Sequence, residues 1–394
     1  MWFALSILLI ALLQVLDLVS IILAVNFLFF SPVEVGLVSA LWTLSFIMGS
    51  RVYGRSSDKG LFKGTLSFST IFILLYSALI SICLKTESKT VFTIAYAIHA
   101  QAYASARVTI MTLILEYYDY YNWRNVNLRY SSGVYFVDGL TLFILSLFGF
   151  RRIVSNILVF TAILLITSIL LLSTLPNLNL LIERNLFRLD RVLNKSLMNI
   201  KNVVFTIPIV DYKDRFFQSE TVGLGSILSG IAGFIYSSEV FFTILPFIFI
   251  RTCGLSIDTV LLIYGFGKFV SSILVSIAFR TVSKAGLGII ILIRSLAFIT
   301  IFLYPHNIFT VTLSLITIYV SGLTINAALY NLYNEATYGY GVYRYTIFCE
   351  TISFIGSLTS GFLYRAFGLY LIPIAIMIKL MLLSRVMLSR QYGS

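Results

Sequence analysis

The sequence predicts an all-α polytopic membrane protein of about 12 transmembrane helices in two six-helix halves. Three observations predict it: scarce charge, long apolar runs at regular spacing, and a weak repetition of the first half in the second. Only 11% of the 394 residues are charged and 59% are hydrophobic, whereas a soluble domain carries about 25% charged residues. With so little charge, and a mean hydropathy of +0.96, the chain cannot cover a surface that faces water.

The first element is an apolar run from Trp2 to Phe30. It lacks a basic flank and far exceeds the roughly 7–15 apolar residues of a signal-peptide core, so it reads as a helix that stays. A spanning helix needs about 20 apolar residues, and cutting at polar, Pro or Gly punctuation places the others. The first span is therefore 3–30; span 33–54 follows Ser31-Pro32 and stops at Gly54. Span 64–84 lies between Gly64 and Lys85, and 90–115 between Lys89 and Glu116. Span 131–150 follows Arg129-Tyr130, and 153–174 lies between Arg152 and Pro176. After a polar interval come 222–250, which Arg251 ends, and 256–280, which closes on Arg280. Span 286–304 stops before Pro305, 308–333 follows His306-Asn307, 346–364 lies between Arg344-Tyr345 and Arg365, and 368–388 starts at Gly368.

The expected domains are thus 1–174, a cytoplasmic linker 175–221, and 222–394. Within the linker Leu186, Leu189, Leu193, Leu197 and Ile200 recur at three- and four-residue steps among Arg184, Arg188, Arg191 and Lys195. That pattern suits an amphipathic helix lying on the inner membrane surface.

With both termini cytoplasmic, the inner loops and linker hold 18 of the 28 Lys and Arg residues, and the outer loops hold 6. Such a bias is the positive-inside signature and orients the chain in a cell membrane, with Arg151-Arg152 as the exception. The net charge of +12 then records orientation and attraction to anionic lipid at the linker, not nucleic-acid binding. Cys83, Cys253 and Cys349 stand at no metal-like spacing and read as buried structural thiols. No metal or cofactor is expected, and the expected state is a monomer in the bilayer.

The halves echo each other. Arg55 and Lys59 follow the second span as Arg280 and Lys284 follow the eighth, at the same separation. Glu116 precedes Arg129-Tyr130 as Glu335 precedes Arg344-Tyr345, and Gly36 and Gly254 each follow an outer turn. Parallel six-helix repeats about an axis along the membrane normal are a transporter signature.

Over essentially its whole length the chain resembles the major facilitator superfamily of transporters. The resemblance is carried by the polar stretch between spans two and three, where the family has Gly-x-x-x-Asp-Arg/Lys-x-Gly-Arg-Arg/Lys. Gly54, Asp58, Lys59 and Lys63 stand at matching places, whereas Leu61 and Phe62 replace the later Gly and Arg and Gly60 comes one place early. The resemblance implies that Asp58 contacts the inner start of helix 11 and latches the halves on the cytoplasmic side, as a carboxylate can at a helix N-terminus. The matching residue of the second half is Ser283, so that latch is weaker or absent there. The antiporter motif of helix 5 is missing, since no proline follows Gly133 and Gly139.

An ionisable side chain near mid-bilayer costs about 2.5–3.5 kcal/mol on insertion scales, so each needs a partner or a wet cavity. Asp17, Arg107, Asp138, Glu239, Lys268, Arg294 and Glu350 fall in that region. The family fold implies a central cavity lined by helices 1, 4, 7 and 10, which hold Asp17, Arg107 and Glu239. Asp17, Arg107, Glu239 and Lys268 are therefore the candidate substrate and proton-coupling residues, with Arg107 near enough to tune an acid. Proton coupling, substrate contact and an ion pair that fixes packing are the three readings of these acids. Lys268 faces the cavity or pairs with Glu239; Asp138 pairs with Arg129 or Arg107. Arg294 and Lys379, on peripheral helices, read as snorkelling or interhelical residues. The candidate cytoplasmic gate is Gly54, Asp58, Lys59, Arg129, Arg344 and Glu350, with Glu350 serving either Arg344 or the region of Asp58.

His99 reads as a packing residue. Gln14, Asn26, Gln101, Tyr103, Tyr236, Asn326 and Tyr330 are substrate contacts or interhelical hydrogen-bond formers. The run Tyr117–Trp123 reads as an interfacial aromatic belt.

Three function classes compete. The first is a secondary transporter of a small solute working by alternating access, with proton coupling among its options. The second is a transport-inactive receptor or assembly subunit of the same fold. The third, an integral-membrane enzyme, wants a sizeable outer loop and a catalytic cluster; the outer loops here are under about ten residues and no phosphate loop or His/Cys cluster occurs.

Overall fold

The computed structural model describes residues 1–118, 123–149, 157–176, 224–278, 286–337 and 342–388. These residues form 12 α-helices and, among the described residues, no strand. The helices of the first half are α1 (Trp2–Asn26), α2 (Pro32–Ser57), α3 (Phe62–Thr86), α4 (Lys89–Tyr117), α5 (Trp123–Phe148) and α6 (Ile157–Thr174). Those of the second are α7 (Leu224–Phe247), α8 (Ile257–Ala278), α9 (Gly286–Leu303), α10 (Ile308–Thr337), α11 (Val342–Phe367) and α12 (Leu371–Leu388). The chain is a multi-pass membrane protein. Nine stretches among the described residues suffice by length and composition to cross a bilayer, one of them running from α11 into α12. The linker helix expected within 186–200, the pair Arg151-Arg152 and the stretch Arg280–Lys284 lie outside the described residues.

Helix ends follow local chemistry. At the start of α2 the Ser31 hydroxyl accepts from the Glu34 amide at 3.3 Å while the Glu34 carboxylate accepts from the Ser31 amide at 2.7 Å, with Pro32 at the first position. This reciprocal cap satisfies two otherwise orphaned N–H groups. At its other end α2 runs on through Arg55–Ser57, beyond the expected stop at Gly54. Gly54 is helical there, and the turn is made by Gly60, whose φ of +79° suits glycine. The expected stop failed because a glycine followed by polar residues weakens a helix without ending it.

Helix α1 stops at Asn26, four residues short of the expected boundary, and Phe30 donates its amide back to the Ala24 carbonyl at 3.0 Å. Helix α5 begins at Trp123, so Arg129 sits on a helix and not in a loop. Helix α7 contains Pro246, which cannot donate a backbone hydrogen bond, and the helix continues as a π-helical turn over Ile248–Thr252.

Helix α1 is apolar all round, and its residues from Leu9 to Val25 are mostly buried, the state expected of such a helix. In the first half α4 packs on α2 and α3, and α1 on α5 and α6; in the second α7 packs on α11 and α12, and α10 on α8 and α9. Two long contacts join the halves, α2 with α11 and α5 with α8. These are equivalent by the repeat, since α8 and α11 take the places of α2 and α5.

Both contacts are closest where small residues let backbones meet. A Cβ on Gly36 would stand 2.9 Å from the Ser357 carbonyl oxygen, and one on Gly361 would collide with the Pro32 carbonyl. On the second contact a Cβ on Gly265 would lie 2.6 Å from the Phe143 amide nitrogen. Without a hydrophobic force between helices in lipid, such close packing is a main source of association. Gly36, Gly361, Gly139 and Gly265 all lie toward the face opposite the chain termini, called the far face below. There Arg251 also donates to the Val25 carbonyl at 2.8 Å, its guanidinium 4.9 Å from the Phe29 ring centre.

Candidate functional site

A cavity of about 530 Å³ lies between the two halves. Helices α1, α4, α7 and α10 line it, as the resemblance implied, and so do parts of α2, α5, α8, α9 and α11. The wider lining follows from the two close contacts, which bring α2, α5, α8 and α11 together at the interface.

On the first half Asp17 accepts a hydrogen bond from the Tyr96 hydroxyl at 2.6 Å, and Gln14 donates to the Tyr103 hydroxyl at 2.9 Å. On the second half one oxygen of Glu239 accepts from Ser357 at 2.7 Å and from Thr243 at 3.1 Å. Neither acid has a Lys or Arg within ion-pair distance among the described residues. Each carboxylate therefore faces the cavity with only hydroxyl donors.

Ion pairs cross between the halves. Lys268 of α8 pairs with Asp138 of α5 at 2.6 Å, both side chains withdrawn from solvent, and Asp138 keeps one oxygen without a partner among the described residues. Arg107 of α4 pairs with Glu350 of α11 at 3.2 Å, its guanidinium 5.6 Å and 5.8 Å from the ring centres of Phe46 and Tyr103. The Arg107 side chain is 41% exposed and both members of this pair border the cavity, whereas of the other pair Lys268 borders it, as one of the two readings had it, and Asp138 is fully buried.

These partners correct the expected ones. Arg107 serves neither Asp17 nor Glu239. It stands ten residues, about 15 Å, from the terminus-side end of α4, whereas Asp17 is about 22 Å along α1. Glu350, about 12 Å into α11, is at the depth of Arg107 and pairs with it. Lys268 finds Asp138 and not Glu239, and Asp138 finds Lys268 and not Arg129 or Arg107, because α5 and α8 are in contact along their length. Of the two readings for Arg294 and Lys379, snorkelling fails, since they are 2% and 0% exposed, and interhelical bonding holds, to Ser238 of α7 and Ser295 of α9.

Of the expected gate set, Gly54, Asp58 and Lys59 cluster at the terminus-side end of α2, and Arg129 is exposed on α5. Only the backbone of Arg344 lies among the described residues; its side chain lies outside them. Of the polar residues named for substrate contact, Gln14, Tyr103 and Asn326 border the cavity. Gln101 is instead turned to α2, donating to the Ser45 carbonyl at 2.6 Å, and Tyr236 is bonded to Thr359 at 3.1 Å. His99 accepts from the Trp42 indole N–H at 3.0 Å on Nδ1, which leaves Nε2 to donate to the Leu13 carbonyl at 3.2 Å. It ties α1, α2 and α4 together as a neutral ring, the packing role read from the sequence. Sequence reasoning missed Tyr96, Trp42 and Arg294 as cavity residues. Arg294 alone carried a signal, a charge in the middle of an apolar run.

Comparison with known proteins agrees at the level of architecture. No family model matches the sequence, and no curated relative does. Solved structures do match. A D-xylose–proton symporter aligns with a TM-score of 0.71 at 15% identity, covering 99% of this chain and 98% of that one. This chain has the major facilitator fold. A proton-dependent oligopeptide transporter of that fold aligns at a TM-score of 0.67 and 14% identity, each chain covered to 99%. A bacterial homologue of the human lysosomal transporter Spinster, solved inward-facing and occupied, aligns at 0.64 and 14% identity over 98% of this chain and 96% of that one. The facilitator fold accounts for the parallel repeat, the paired helix contacts and the cavity between the halves.

Proposed function

We propose that the chain is a secondary transporter that moves a small solute across a cell membrane by alternating access. One observation carries the reading: a cavity of about 530 Å³ between two six-helix halves, walled by two acids held only by hydroxyls. Residues 1–174 and 222–394 act as the two moving bodies, and 175–221 tethers them on the cytoplasmic side, where its basic residues meet anionic lipid. Both termini are cytoplasmic, and the chain works as a monomer. The glycine contacts at the far face make this an inward-facing or occluded state. Asp58 with Lys59 at the end of α2, Arg129, Arg344 and the Arg107–Glu350 pair form the cytoplasmic gate.

Asp17 and Glu239 are the proton-coupling candidates. A carboxylate that swaps a hydroxyl partner for a proton or a substrate amine changes the charge of the cavity, and the balance between the two bodies shifts with it. Among the described residues no His/Cys/Asp/Glu group could hold a metal, and the reading needs none. The test is counterflow in proteoliposomes loaded in turn with sugars, organic acids, amino acids and short peptides. Exchange of at least one class above protein-free vesicles is expected; exchange of none would leave a solute-binding or assembly role for the fold.

A further inference from the structure

The second half holds a cation that the rest of the site does not balance. Arg294, at the middle of α9, borders the cavity yet is only 2% exposed. Its guanidinium donates to the Ile318 carbonyl and, at 2.9 Å, to the Ser238 hydroxyl, while Nε has no partner among the described residues. The rings of Phe234 and Phe298 flank it, their centres 5.0 Å and 5.1 Å from its central carbon. A Cβ on Gly322 would stand 2.5 Å from one of its terminal nitrogens, so glycine there makes the room it occupies. No carboxylate lies within ion-pair distance of it among the described residues. Arg107 and Lys268, by contrast, each have their own acid.

Near the same Phe298 ring lies a second basic side chain. Lys379 of α12 is fully buried, its Nζ 5.5 Å from the ring centre and 3.4 Å from the Ser295 hydroxyl, again with no acid within ion-pair distance among the described residues. Two basic side chains thus share one aromatic ring in the interior of a membrane bundle, where charge is costly. A guanidinium with an unpartnered Nε–H keeps donor capacity for a carboxylate or phosphate.

We propose that the solute entering this cavity carries an anionic group, a carboxylate or a phosphate, and that Arg294 binds it. The inference rests on the cavity being the solute site of the proposed transporter. On this reading Phe234, Phe298 and Gly322 position the guanidinium.

The experiment uses the purified full-length chain in detergent. Melting temperature is followed with gluconate, glucose 6-phosphate and inorganic phosphate, against uncharged glucose and cationic glucosamine. At least one anionic probe should stabilise the wild type, and Arg294→Gln should weaken its apparent affinity by about 10- to 100-fold, the size of a lost charge-assisted hydrogen bond. Arg294→Lys keeps the charge but not the fork; it should weaken binding less, and it serves if the Gln variant does not fold. Stabilisation by no anion, by the neutral or cationic probes alone, or by anions equally in wild type and variants would overturn the proposal. Counterflow of the same probes separates the two readings. Exchange of glucose or glucosamine with no anion preference leaves transport standing and removes the anion site. Arg294-dependent anion binding without exchange does the reverse.

Discussion

Asp17 and Glu239 occupy near-equivalent depths in α1 and α7, and each is held by hydroxyls and not by a cation. That environment lets a carboxylate take up a proton without breaking an ion pair. If either couples proton flow to transport, Asp17→Asn or Glu239→Gln will lose pH-gradient-driven uptake while keeping counterflow. Unchanged gradient dependence in both variants would remove the coupling role. Lys268 and Asp138 are the opposite case, an ion pair between α5 and α8 whose acid is fully buried. Lys268→Met leaves Asp138 alone in the interior and should cost about 3–5 kcal/mol, whereas adding Asp138→Asn should recover most of the loss, because it removes the stranded charge. Thermal unfolding of the two variants measures both; equal destabilisation would mean that the ion pair is not what holds the contact.

At the scale of elements, the crossings of α2 with α11 and α5 with α8 depend on glycine. Gly265 faces the backbone of α5 so closely that an added methyl group meets the Phe143 nitrogen at 2.6 Å. Gly265→Ala should cost about 1–3 kcal/mol through overpacking and should loosen the far face. Increased labelling of cysteines placed beside Phe29 would report that loosening, and unchanged labelling would place the seal elsewhere, for instance in the Arg251–Val25 bond. Most elements were legible in the sequence because an apolar run of the right length in lipid has one economical backbone form. Their ends were less legible. Gly54 read as a stop and is helical, and Arg129 read as a loop residue and sits on α5, because a few polar residues near an interface do not break hydrogen bonds that the helix makes for itself.

The whole molecule joins two six-helix groups through a few crossings, and both members of the Arg107–Glu350 pair border the cavity. A pair at that place can break and re-form as the halves rock. Arg107→Gln should shift the population between the two states, and the charge-swapped double variant Arg107→Glu with Glu350→Arg should restore transport toward the wild-type rate. Spin-label distances across both faces, read with counterflow rates, check this. Restoration of neither would show that the two side chains act separately, Arg107 through its aromatic neighbours and Glu350 through some other contact.

By itself the sequence determined the environment, the number and order of the helices, the parallel repeat and the presence of unusual charges. These follow from composition and from period along the chain, which lipid reads one helix at a time. Only the tertiary structure decided which charge meets which. Partners such as Arg107 with Glu350 lie 243 residues apart, and their meeting depends on the depth and rotation of two helices that no local pattern encodes. The same holds for Arg294, which the sequence placed on a peripheral helix. The packing of α9 against α10, with Gly322 leaving room, carries its guanidinium to the cavity wall.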